Sequence, residues 1–134
     1  MGSSQASRAS VESFKSDPLF PRIERAVAAI LATTKIVTPI DVLVRLDLLA
    51  PVRVDDWRQG RLPYLERAIN CNLTRLSRIL RILRFHAHDL NLVPVAGVYP
   101  QRFSKTGDRG IEAAYARHFV WPGKLPFHPP APKT

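Results

Sequence analysis

Between residues 69 and 90 the apolar side chains Ile69, Leu73, Leu76, Leu80, Leu83, Ala87 and Leu90 follow one another at alternating steps of four and three. An apolar repeat of seven held for three periods marks a helix with one continuous packing seam. Pro63 suits the first turn of such a helix, and neither Gly nor Pro recurs before Leu90. The pattern predicts a long central helix over about 63–90, about 40 Å from end to end. Ile79 and Ile82 widen its apolar side, while Arg67, Arg75, Arg78, Arg81 and Arg84 avoid the seam. Short neighbouring helices cannot cover a rod of that length. The remainder is covered by the C-terminal segment or by a second copy of the chain, as a homodimer through whatever part of the Leu73–Leu90 seam stays open.

The flanking segments supply the neighbours. Ile23, Val27, Ile30 and Leu31 fall on one face of a helix over roughly 20–34, which Pro21 opens. Thr38 can cap a second helix, 39–47, with Pro39 at its first position and Asp41 in its first turn. "VRVDDWRQG" (52–60) reads as a short third helix closed by Gly60. After Asn91, "LVPVAGVY" reads as a strand that Pro94 confines to an edge or a start. "RFS" reads as its returning partner, "KTGD" as a turn, and Asp108 as the cap of a last helix, "RGIEAAYARHFV". The fold class is mainly α: a helical bundle with one long central helix and a small β-hairpin before a C-terminal helix. The Ser-rich residues 1–17 read as a disordered arm and 122–134, with five prolines in thirteen residues, as an extended tail. A single domain is left at 18–121.

Charge narrows the partner. Lys and Arg number 20 against 11 Asp and Glu, a net +9, and fifteen of the cations are Arg. Arg meets phosphate or carboxylate oxygens with two parallel donors, so the excess favours polyanions; GC-rich coding, which enriches Arg and Ala together, explains the same composition. From 61 to 90, six Arg stand against Glu66 and Asp89. A strip formed by Arg75, Arg78, Arg81 and Arg84 would neutralise several phosphates, with steep salt dependence; the alternative is a solvated helix face.

Residues 39–61 resemble the helix-turn-helix of small bacterial repressors: Val44 in the first helix, the turn "DLLAPV", then Val54, Trp57 and Gly60. The resemblance implies a third helix in the DNA major groove, with Arg53, Arg58 and Gln59 at base edges and Arg61 on phosphate. Against that stand Asp55 and Asp56 on the reading helix and a turn without glycine; the other reading is three short helices packed as a bundle. "WRQGRLPYLE", the Arg/Leu helix, "RFSKTGD" and "IEAAYARHF" together resemble a group of small bacterial proteins of unassigned function over most of 20–120. That resemblance implies a self-contained domain and carries no activity with it.

Other chemistries find little support. "FSKTGDRG" lacks the paired glycines and the Lys-Ser/Thr order of a phosphate loop, so Lys105 and Arg109 are candidates only for backbone contacts to nucleic acid. His86 and His88 point apart on a helix, and the lone Cys71 cannot complete a zinc set or a disulfide. No nucleophile and base fall within reach of each other. The expectation is a cytoplasmic, non-enzymatic protein without cofactor, metal, small-molecule substrate or membrane span. Its partner is nucleic acid, DNA before RNA, in a helix-turn-helix regulator. The alternative is an adapter or antitoxin-like module holding an acidic protein on the Arg face.

Overall fold

The computed structural model describes residues 13–124 and 127. Five helices, α1 (Phe20–Leu31), α2 (Pro39–Arg45), α3 (Pro51–Arg58), α4 (Leu73–Asp89) and α5 (Arg109–Ala116), surround one core. Three short strands, β1 (Ile36–Val37), β2 (Val93–Ala96) and β3 (Arg117–Val120), form an antiparallel sheet in the order β1-β3-β2.

The mainly α class holds; the long helix is shorter than its repeat suggests. Instead of running from 63 to 90, it starts at Leu73, giving 17 residues, or about 26 Å. Tertiary partners claim the preceding stretch. Leu65–Ala68 form a 3-10 turn, the Glu66 amide donates to Phe103 O, and the Asn70 amide donates to Leu48 O. Asn72 then caps α4, its side-chain oxygen accepting from the Arg75 amide at 2.8 Å. Satisfying one of the orphan amides of a helix start, this cap should be worth about 1 kcal/mol. Asn72→Ala is expected to lower stability by that amount in urea unfolding, with Asn72→Asp close to wild type.

The break also rotates the seam. Ile79 and Ile82, at the margin of the repeat, are among the most buried residues, whereas Leu73, a seam residue, is 62% exposed and Leu80 is half-buried. The open part of the seam is therefore Leu73, with Leu80 and Leu90 half-buried.

The β-hairpin is replaced by a different pairing. "RFS" forms no strand; β2 pairs instead with β3, built from residues 117–120 that the sequence pattern assigned to the last helix. Val93 lies opposite Val120 and Ala96 opposite Arg117, while Ile36 takes the other side of Val120. Arg117, already extended at φ −76° and ψ 121°, ends α5 and starts the strand.

The Gly97 amide donates to Ala116 O, so by antiparallel alternation the backbone groups of Val93 and Val95 also face β3, and those of Pro94 and Ala96 face outward. Pro94 thus withholds a donor from the open edge and not from the ladder.

At the N-terminus, residues 13–17 belong to the fold and not to an arm. Phe14 is buried in a 3-10 turn, its ring centroid 5.5 Å from that of Phe20 and 5.8 Å from that of Phe85. The reading of 1–12 as an arm lies outside the described residues, as does most of the proline-rich tail.

Candidate functional site

Two carboxylates fasten the loop between β2 and α5. Glu112, in the first turn of α5, accepts from the Phe103 amide (2.9 Å), the Ser104 amide (2.8 Å) and Ser104 Oγ (2.8 Å). Glu66 accepts from the Tyr115 hydroxyl at 2.8 Å. Trp57, fully buried, donates its indole N–H to Arg102 O at 2.7 Å. Phe103 and Tyr115 stack face to face with ring centroids 5.1 Å apart. Burial, and then the hydrogen bond to Glu66, raises the Tyr115 hydroxyl pKa, so it stays a donor. The segments "WRQGRLPYLE", "RFSKTGD" and "IEAAY" therefore contribute to one internal clamp. Its members were not candidates in the sequence reading, because their partners lie eight to 49 residues apart.

The Arg strip on α4 is divided. Arg75 and Arg84, nine residues apart, sit about 180° from each other around the helix. Arg78 donates to both carboxylate oxygens of Asp17, the closest contact being 2.7 Å. Arg53 and Arg61 both bind Asp56, each at 3.2 Å. Arg58 and Gln59 are exposed at the end of α3, whose surface also carries Asp55 and Val52 (63% exposed).

Arg81, Arg84 and Lys105 do come together, with Arg117, which the sequence reading left unassigned. They line a groove of about 670 Å³ between α4 and α5. Arg117 was hidden from pattern reading because its helical assignment placed it on a different face. None of these four cations has a carboxylate partner among the ion pairs of the described residues. The groove walls include Leu73, Leu80, Leu83, Ile111 and Ala114. A second cavity of about 450 Å³ shares Arg84, Arg117 and Phe119 with it and extends to Leu92 and Val95. Arg109 is exposed beside Asp108 and Gly110, which line the same mouth. Asp108 itself caps α5, accepting from the Gly110 and Ile111 amides.

The apolar lining makes this more than a basic patch. Its aromatic members, Tyr115 and Phe119, are buried, leaving the accessible part aliphatic. Bases of single-stranded nucleic acid stack on exposed aromatic faces, and here such faces are lacking. Among the described residues, no group of three or more His, Cys, Asp or Glu side chains could hold a metal ion, and no helix is long and apolar enough to cross a membrane. Burial, as the largest cause, raises the Cys71 thiol pKa, with Arg75 opposing it, which favours the inert thiol over the thiolate. No protein-family model, curated protein or solved structure matches the chain.

Proposed function

We propose that the chain is a protein-binding module of the adapter type, which takes an acidic, partly apolar segment of another protein into the groove between α4 and α5. The observation that carries this reading is an aliphatic groove lined by Arg81, Arg84, Lys105 and Arg117, none of which has a carboxylate partner among the ion pairs of the described residues. Phosphate backbones would use the cations and leave the apolar lining unemployed. An acidic segment with an apolar face uses both. The charge of the rim argues against a second copy of this basic chain as the occupant.

The regulator reading keeps less support. Two of its four contacts on and beside α3, Arg53 and Arg61, are held by Asp56, and Arg78 of the strip is held by Asp17. Arg58 and Arg75 stand elsewhere on the surface, with Arg109 beside the groove mouth, and all three suit diffuse attraction to polyanions.

Fluorescence anisotropy separates the two. A labelled acidic, leucine-containing peptide and a labelled random-sequence duplex are titrated with the protein at about 50 and 200 mM salt. Duplex binding through about six phosphate contacts would weaken about 1,000-fold over that range. Peptide binding is expected to weaken less than about ten-fold, because apolar burial persists in salt. Arg84→Glu with Arg117→Glu should reduce peptide affinity at least about ten-fold. Tight duplex binding that the double variant leaves unchanged, with no peptide binding, would overturn the proposal.

A further inference from the structure

We infer that the segment received by this groove is an acidic amphipathic α-helix of about four turns, with a carboxylate meeting Arg84 and Arg117 midway along it. This deepens the adapter reading above and rests on it.

Length is the first argument. The two cavities share Arg84, Arg117 and Phe119 as lining, and α4 residues from Leu73 to His88 border one or the other. Fifteen steps along a helix span about 22 Å, so a helix lying alongside needs about 15 residues. The lining supplies the second argument. Ser77, Ala113, Ala114 and Gly110 are small and permit close approach of a backbone. Leu73, 62% exposed, and Ile111, 41% exposed, offer apolar contact at the mouth. An apolar helix stripe with residues at i, i+3, i+4 and i+7 matches such a channel. The β2 edge disfavours the competing mode. An extended segment would add to an open strand edge, and on β2 that edge lacks the Pro94 amide, leaving Ala96 as the outward donor of the strand. Charge fixes the sign of the helix flanks. Arg81, Arg84, Lys105 and Arg117 line the channel, while its two acids have internal work: Glu66 holds the Tyr115 hydroxyl and Asp108 caps α5.

The test uses three fluorescein-labelled 15-residue probes of equal charge: one with leucines at helical spacing between glutamates, one with the same composition scrambled, and one with two central prolines. The full-length protein is titrated with each, alongside Arg84→Glu and Leu73→Asp. The second variant guards against misfolding, because an exposed acid at a helix start is favourable, and thermal unfolding monitors both. The patterned peptide should bind at least about ten-fold tighter than either control, a difference of about 1.4 kcal/mol, and both variants should lose that margin. Equal binding of all three peptides, still lost in Arg84→Glu, would overturn the helix and leave the adapter reading standing. Binding of none of them, with the duplex bound, would remove both.

Discussion

Glu112→Ala should lower the unfolding free energy by about 4 kcal/mol, the larger of the two main effects expected in this fold. The carboxylate is the acceptor for two backbone amides and one hydroxyl, and it holds them at 2.8–2.9 Å. Phe103 and Ser104, which supply those donors, are only 3% and 1% exposed. A buried donor left without an acceptor costs about 1–3 kcal/mol, and these donors would regain partners by opening the loop to water. Opening it would uncover Phe103, and with it the ring contacts to Trp57, Tyr99 and Tyr115. Urea unfolding measures the loss, and amide hydrogen exchange at Ser104 should accelerate along with it. Glu112→Gln keeps one carbonyl acceptor and should lose about half as much. A loss below about 1 kcal/mol for the alanine variant would show that the rings and the hydrogen bonds to Arg102 O and Phe103 O hold the loop without this carboxylate.

Acid should weaken the fold through His86. Its ring is 4% exposed and packs edge-on against Phe20 at 5.1 Å between centroids, with Nδ1 lacking a hydrogen-bond partner. Burial, the largest cause, lowers its pKa from 6.5 to about 4; Asp89 opposes the shift and Lys15 adds to it. The folded state therefore keeps the imidazole neutral while the unfolded chain takes up a proton below about pH 6.5. In that window the unfolded state binds more protons, so stability falls with pH, from its full value above 6.5 until the folded imidazole itself titrates near 4. The shift corresponds to about 3 kcal/mol. Urea unfolding at intervals from pH 7 to 4 should show this slope in wild type. The difference between wild type and His86→Leu isolates it, since other titrating groups are common to both. Parallel curves for the two proteins would refute the assignment.

Periodicity alone revealed much of the architecture. The α1 face, the Thr38 cap with Pro39, and the buried α4 residues Leu76, Leu83 and Ala87 all sit as their spacing requires. Local pattern failed where a long-range bond decided the backbone. The repeat counted Ile69 as helical, yet Asn70 binds Leu48 O and Asn72 begins a new helix. Two asparagines around Cys71 were the available signal for that break. "RHFV" carries helix-compatible residues, but its strand state is set by partners at Ile36–Val37 and Val93–Ala96. For the site, sequence named Arg81, Arg84 and Lys105 but not Arg117, and it could not see which arginines were already occupied. Asp17 and Asp56 settle that, and Asp17 lies 61 residues from the guanidinium it binds.

The proline on the outer margin of β2 has a consequence for the molecule in a crowded solution. Fibrillar stacking needs successive chains to exchange main-chain hydrogen bonds along a repeating edge. A margin missing one of its few donors starts such a stack poorly, and the net positive charge sets neighbouring copies apart. Concentrated protein should accordingly stay dispersed, leaving encounters to be decided by side chains.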